Sequence, residues 1–420
     1  MLTKLKPKSE FSRNVLTLMT GTTIAQAIPI AISPILTRIY TPEDFGVFAL
    51  FVAIVGFLAI IASGRYEQAI IVVKYDKYAI NIFVFSLMLI CCTSIFSFII
   101  ILLFKEEILK LLGNNLLGNW LYVVPLTVFF VALFNLLTVY NNRTKHYQDI
   151  AKATIVKSLV LASAQIVIGF VKNGFGGLII GQVLAQFFAN LKLARNITKE
   201  KALFSSISLK SIFALAKKYT NFPRYNMPHA LLGNISSNLP IYIFTPFFGS
   251  IIVGKYSLAL MVVLAPMSLI ATSTAKVYNQ KLAELYNNKE DIYIFTLEIT
   301  KSLLKKILAP FVIFVAFAPQ IFSIVFGSLW VDSGKYIQIM SLYLILNLVV
   351  STIAYVPSLL GLQKKAFNIA LVQFLLLLLV LYIASKYYDI YIALGLMTLV
   401  NSLILVYNFA WMTNALRQKS

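Results

Sequence analysis

Phe222-Pro223-Arg224-Tyr225-Asn226-Met227-Pro228-His229-Ala230-Leu231-Leu232-Gly233-Asn234-Ile235-Ser236-Ser237-Asn238-Leu239-Pro240 stands almost at the midpoint of the 420-residue chain and runs on into the apolar stretch 241–248. Together the two are long enough to cross a bilayer as one helix. Yet His229, Asn234, Ser236, Ser237 and Asn238 occupy positions where hydrocarbon favours leucine. An amide finds no partner in lipid, so one side of this helix must face protein or water.

The pattern recurs near the start of the chain. A shift of 212 residues places Gly21 on Gly233, Thr22 on Asn234 and Gln26 on Asn238. At nearly the same offset Gly46-Val47-Phe48-Ala49-Leu50 falls on Gly254-Lys255-Tyr256-Ser257-Leu258, and Arg65 falls on Lys276. Against a chance likeness of two polar helices, these matches read as an internal repeat of half the chain. Such repeats commonly place a transport path at their interface.

Composition sets the class. Apolar residues make up 60% of the chain and charged residues only 12%, and the mean hydropathy is +0.85. That is the mix of a polytopic membrane protein. The net charge of +21 does not point to nucleic acid, because the Lys and Arg residues lie in short runs between apolar segments. The basic start Lys4-Leu5-Lys6-Pro7-Lys8 resembles a signal peptide, but the span after it is too long and too polar, so it reads as an uncleaved first helix. Cys91 and Cys92 are adjacent in an apolar run and read as buried thiols.

Windows of about 20 apolar residues divide the sequence into about twelve helices, at 14–37, 45–73, 79–104, 116–140, 150–171, 175–194, 225–248, 254–275, 303–326, 336–360, 367–386 and 390–414. With the N-terminus inside, 29 of the 36 basic residues fall on the inner side and 7 on the outer. A bias of that size supports both the helix count and cytoplasmic termini. The longest inner loop, 195–222, sets Ile207, Ile212, Phe213, Leu215 and Ala216 against Lys210, Lys217 and Lys218, the pattern of a helix lying on a membrane surface. The inner stretch 283–306 mixes acids with lysines and reads as a solvated extension of its neighbouring helices. The largest outer loop, 105–119, has room for one brief amphipathic helix.

Several helices carry polar stripes. Thr22, Gln26, Pro29 and Ser33 share a face in the first, and Gln182, Gln186 and Asn190 in the sixth. Asn234 and Asn238 do so in the seventh, and Asn347, Ser351 and Tyr355 in the tenth. Each stripe taken alone fits hydrogen bonding between helices; together, divided between both halves, they favour a hydrated cavity. Arg65, Glu67, Lys157, Arg224 and Lys276 fall toward inner helix ends, and Arg38 lies at the outer end of the first helix. Basic residues there either snorkel to lipid phosphates or line the cavity. In the cavity reading, Arg65 and Lys276 face each other across a central cleft and suit a diphosphate, with Arg224, Lys157 and Arg38 as further anion contacts. Glu67, the one carboxylate that this segmentation places within a span, pairs with Arg65 or serves as a proton-coupling acid. No catalytic constellation, metal-ligand cluster or phosphate loop is visible, so the sequence reads as a transporter without a cofactor rather than an enzyme.

The chain resembles the polysaccharide-exporter flippases of the Wzx type, within the multidrug/oligosaccharidyl-lipid/polysaccharide exporter superfamily. The resemblance is carried by Leu36-Thr37-Arg38-Ile39-Tyr40-Thr41-Pro42-Glu43-Asp44-Phe45-Gly46-Val47 and Arg65-Tyr66-Glu67-Gln68-Ala69-Ile70, then by Asn142-Arg143-Thr144-Lys145 and Gly176-Gly177-Leu178-Ile179-Ile180-Gly181. It continues in Phe222-Pro223-Arg224-Tyr225, Phe248-Gly249 and Val253-Gly254-Lys255-Tyr256. It implies an all-α membrane protein of two six-helix lobes related by a pseudo-two-fold and set as a V around a cationic cavity. The lobes would be 1–195 and 223–420, joined by a cytoplasmic linker 196–222 with an interfacial helix. The implied activity is transfer of an undecaprenyl-diphosphate-linked oligosaccharide, of O-antigen or capsule type, from the cytoplasmic to the periplasmic leaflet of a bacterial inner membrane. Alternating access would drive it, with H+ or Na+ coupling open.

Arg65, Lys276, Arg224, Lys157 and Arg38 would then meet the diphosphate, and Gln26, Asn234, Asn238, Gln182 and Gln186 the sugar hydroxyls. The implied partners are that lipid-linked glycan, membrane lipids and other polysaccharide-assembly membrane proteins, with no nucleic acid. A cation-coupled drug antiporter of the same superfamily, a peptidoglycan-precursor flippase and a membrane glycan polymerase or ligase are the rival readings. The sidedness is directly measurable: reporter fusions after residue 202 and at the C-terminus should report the cytoplasm, and one at 115 the opposite side. A periplasmic signal from either of the first two would break the helix count.

Overall fold

The computed structural model describes residues 10–171, 174–198 and 204–419, with side chains from residue 17 onward. Lys4, Lys6, Lys8, Lys172, Lys199 and Lys201 lie outside the described residues, as does the side chain of Arg13. Among the described residues there is no strand. The helices are α1 (Glu10–Ile39), α2 (Pro42–Ala62), α3 (Asp76–Leu112), α4 (Val124–Arg143), α5 (Tyr147–Val171), α6 (Gly176–Ile197), α7 (Leu209–Lys218), α8 (Met227–Asn288), α9 (Ile292–Ala316), α10 (Ala318–Phe326), α11 (Val331–Thr352), α12 (Gln363–Tyr387) and α13 (Ile390–Arg417). At about 1.5 Å per residue, α8 is roughly three times as long as the hydrocarbon core is thick. It breaks at Gly249 (φ 80°, ψ 172°), a conformation essentially closed to residues with a Cβ, so it supplies two crossings. The helices α9 and α10 meet at a 69° bend and read together as one. Counted so, with α8 divided at Gly249, the described residues offer twelve segments as candidate crossings.

The chain folds as two compact units, Met1–Pro246 and Phe247–Ser420. In the first, α2, α3 and α4 enclose a core built on Phe51, Val55, Ile80, Ile90, Val128 and Leu136. Small residues let helices approach closely, as lipid-embedded packing requires: a Cβ on Gly21 of α1 would stand 2.5 Å from that of Ala151 on α5. The turn between α1 and α2 is over-determined by its sequence. Tyr40 donates its hydroxyl to the Gln165 carbonyl at 2.6 Å. Burial, then the nearby Asp44 carboxylate, pushes that hydroxyl up to about 12, so it stays a donor. Thr41 caps α2 and Asp44 returns the bond in a capping box, with Pro42 at the first helical position.

The amphipathic α7 forms as its sequence predicts, burying Ile212 and Leu215. Asn81 of α3 holds the strand of chain before it, donating to the Ser206 carbonyl at 3.0 Å and accepting from the Ser208 amide at 3.0 Å. The second unit buries Tyr278, Ile353, Val356 and Leu416. In it, Lys255 pairs with Asp332 at 2.6 Å and Lys335 pairs with the same carboxylate at 3.0 Å, fixing the start of α11 to α8.

Three expectations are corrected by the structure, and one more is met. The predicted span 45–73 ends at Ala62, because Gly64 (φ 56°) and Arg65 (φ 61°) take left-handed conformations that no helix continues. Glu67 therefore lies in a short turn beyond α2. The brief amphipathic helix expected within 105–119 is present: α3 kinks at Phe104 (φ −123°, ψ 26°), and the segment beyond the kink runs to Leu112 with Leu109 buried. Cys92 is exposed on α3 beside the outward-facing Ile95 and Phe96, because the apolar run there serves lipid rather than a core. Lys157 sits ten residues into α5 rather than toward its end.

Sequence reading also gave Arg143 no role. Its guanidinium donates to the carbonyls of Ile70 (2.8 Å) and Val73 (2.6 Å), closing the one-turn helix Ala69–Val72, and pairs with Asp76 at 2.8 Å. Asp76 is 70% exposed, so that pair contributes little. Replacing Arg143 by Ala should destabilise the protein by about 2–3 kcal/mol in detergent unfolding, whereas Asp76→Asn should change stability by less than about 0.5 kcal/mol. Equal losses would show that the ion pair, not the carbonyl bonds, carries the effect.

Candidate functional site

In the first unit the turn after α2 brings Arg65 and Glu67 together. Their closest atoms are 3.5 Å apart, with Arg65 about a third exposed and Glu67 buried. The contact is long for a charge-assisted bond. The Nε of Arg65 and one carboxylate oxygen of Glu67 are buried without a protein partner. Tyr66 between them donates to the Ala216 carbonyl of α7 at 3.1 Å, which fixes the turn against the linker helix.

The intramembrane amides divide into those that the helices use and those left over. Asn238 gives its Nδ2 to the Asn234 carbonyl one turn earlier, at 2.9 Å. Asn190 gives its Nδ2 to the Phe130 carbonyl at 2.9 Å. The side-chain oxygens of Gln26, Gln186, Asn190 and Asn234 are buried with no protein partner. Asn234 also lies close to α2, where a Cβ on Gly56 would stand 3.2 Å from its Nδ2. Gln182 is half-buried on the same helix as Gln186.

The remaining predicted cations are scattered. Lys157 places its ammonium 4.7 Å from the centre of the Phe134 ring, an arrangement that partly offsets its burial. Arg38 is exposed in the last turn of α1. Arg224 is exposed in a single wide turn at Phe222–Asn226, with its guanidinium 5.4 Å from the Tyr225 ring centre.

In the second unit a pocket of about 330 Å³ opens between α8 and α11. Ser268, Thr272, Asn347 and Ser351 supply its polar groups, and Met267 and Leu348 part of its apolar wall. Lys276 lies one turn beyond Thr272 on α8 and is exposed. Asn347 and Ser351 stood out in the sequence; Ser268 and Thr272 did not. The signal was present, since 268, 272 and 276 recur at four-residue spacing and so share a face of α8. Among the described residues, no group of three or more His, Cys, Asp or Glu side chains comes together.

Chemically, these features are hydrogen-bonding groups and a few cations held within helices that otherwise present hydrocarbon. They are suited to binding and solvating a polar or anionic group at membrane depth.

Comparison with known proteins gives the lineage. Residues 35–335 match the family described as "Polysaccharide biosynthesis protein". No curated protein matches the chain. Among solved structures, the chain is similar to a multidrug resistance MATE family transporter of the MOP superfamily in its outward-facing conformation, at 15% identity and a TM-score of 0.60 over 97% of this chain and 96% of that one. The inward-facing conformation of such a transporter matches at 15% identity with a TM-score of 0.54, over 97% and 96%. A MOP superfamily transporter from Pyrococcus furiosus matches at 15% identity with a TM-score of 0.62, covering 96% of each chain. At such identities the likeness is one of fold, and it agrees with the exporter resemblance carried by residues 36–47 and 248–256. This multi-pass membrane protein belongs to the polysaccharide biosynthesis protein family, built on the fold of the MOP-superfamily transporters.

Proposed function

We propose that this protein is a flippase that carries an undecaprenyl-diphosphate-linked oligosaccharide, of the kind used for O-antigen or capsule, from the cytoplasmic to the periplasmic leaflet of a bacterial inner membrane. The observation that carries the proposal is the set of buried amide oxygens on Gln26, Gln186, Asn190 and Asn234 that the protein itself leaves unpaired. Lipid cannot satisfy them; sugar hydroxyls and water can.

The cargo poses a solvation problem. Moving a diphosphate and a polyhydroxyl headgroup bare through hydrocarbon is prohibitive, whereas its long isoprenoid tail is at home there. Groups that replace hydration remove most of that barrier. In this reading Arg65 in the first unit and Lys276 in the second contact the diphosphate. Arg65 is held by only one long contact to Glu67 and retains donors for a ligand. Arg224, Lys157 and Arg38 are secondary anion contacts. Gln26, Asn234, Asn238, Gln182 and Gln186 meet the glycan, as do Ser268, Thr272 and Asn347 in the second unit. Glu67 is the candidate coupling acid for H+ or Na+, and other polysaccharide-assembly membrane proteins are the expected partners. Alternating access is supported by fold likeness to transporters solved in outward-facing and inward-facing conformations. The Pyrococcus furiosus relative is described as having a binding pocket of reversed polarity that points to a different function.

A cation-coupled drug antiporter on the same fold is the competing reading, and one experiment separates the two. The protein is reconstituted in proteoliposomes with undecaprenyl-diphosphate bearing a fluorescent trisaccharide, and an impermeant quencher reports leaflet exchange. The wild type should relocate the lipid chemically unchanged, and Arg65→Gln with Lys276→Gln should slow it at least about ten-fold at normal protein levels. Transport of organic cations with no lipid exchange would establish the antiporter, and covalent change of the lipid an enzyme. A second expectation concerns stability. Gln186→Leu and Asn234→Leu remove buried unpaired oxygens, so they should leave thermal stability unchanged or raised while slowing exchange. A marked loss of stability would mean that these amides hold the fold together instead.

A further inference from the structure

A groove of about 700 Å³ lies in the second unit, along the first turns of α12 and the facing turns of α13. It is not among the groups assigned to the cargo. Its head is cationic: Lys364 and Lys365 stand at the N-terminal end of α12, where the helix dipole adds positive potential, with Asn368 one turn further in. Its floor is apolar and continues down the helices along Val372 and Leu403, with Tyr407 at the flank. Val372, Leu403 and Tyr407 are more than half exposed, and the outward face of α12 beyond them is a run of exposed leucines. That face is one which a bilayer covers.

The two lysines differ in how they are held. Lys365 places its ammonium 4.8 Å from the centre of the buried Trp411 ring, which fixes it at the head of the groove. Lys364 has no such restraint. Neither ammonium has an acidic partner among the described residues, so the local charge is uncompensated by protein. Basic pockets between membrane helices, on the side where Lys and Arg gather, have the chemistry that anionic lipid headgroups need.

We propose that this groove is a binding site for one anionic glycerophospholipid, its phosphate against Lys364 and Lys365 and an acyl chain along Val372 and Leu403. A neutral lipid gains only the apolar floor. Free phosphate gains only the head. The proposal is independent of the nature of the cargo, and its test needs no transport.

The experiment is native mass spectrometry on the full-length protein in detergent, titrated with an equimolar mixture of phosphatidylglycerol and phosphatidylcholine of the same chain length. The wild type should retain one phosphatidylglycerol with a preference of about thirty-fold over phosphatidylcholine, as two lysines near a headgroup imply. Lys364→Gln with Lys365→Gln should bring the two lipids near parity, and the corresponding double Arg variant should keep the preference. Val372→Trp fills the floor without touching charge and should release the lipid, whereas millimolar inorganic phosphate should not displace it. Equal retention of both lipids by the wild type would overturn the proposal. So would unchanged preference in both the Gln and Trp variants, or displacement by free phosphate.

Discussion

Hydrocarbon offers no hydrogen bond, and that single constraint orders this molecule. Every polar group carried into the membrane must find a partner in its own helix, in a neighbour, or in something that the helices enclose. The hydroxyls solve the problem locally: Ser236, Ser237 and Thr245 of α8 donate to carbonyls one turn back, at 2.6–2.9 Å. In the second unit Thr272 and Thr296 do the same. Amides carry both donors and an acceptor, and a carbonyl one turn back satisfies only the donor. Their leftover oxygens are the groups that the proposed cargo, or water, would satisfy.

This distinction explains how much of the site could be read from the residues. The stretch 222–240 stood out because it is polar where leucine is expected. Counting polar residues nevertheless overstates what remains to bind a ligand. Asn238 already gives its Nδ2 to a carbonyl of its own helix, and among the described residues of that stretch only the Asn234 side-chain oxygen is both buried and without a protein partner. Whether a side chain is used depends on the neighbouring turn and the neighbouring helix, neither of which a one-dimensional pattern contains.

The crossings were legible for a similar reason. Twelve apolar windows and the sidedness of the basic residues are properties of composition along the chain, and the helices of both units fall where those windows lie. Breaks within a window were not legible. The turn that sets Glu67 outside α2 follows from two consecutive left-handed residues, and only the first is glycine. Arg143 likewise closes a turn some 70 residues earlier in the chain. Its partners are backbone carbonyls, which leave no trace in the sequence of side chains.

The repeat pattern shows where likeness of sequence and likeness of environment part. Gly21 and Gly233 coincide when the chain is shifted on itself, yet Gly21 admits Ala151 at close range while a Cβ on Gly233 would meet nothing within 4 Å. Arg65 sits in a turn and Lys276 in the middle of a continuing helix, so one charge is positioned by backbone and the other by a flexible stem.

The account stands or falls on whether the unpaired amides are wet. Single cysteines at 26, 186, 190 and 234, placed in a protein with Cys91 and Cys92 replaced by alanine, are to be treated in sealed membranes with a charged, water-soluble thiol reagent, with 375 as a lipid-facing control. The account predicts labelling at the four amide positions and none at 375. Protection of all four to the level of the control would contradict it, because the helices would then be sealed against each other and no polar headgroup could pass.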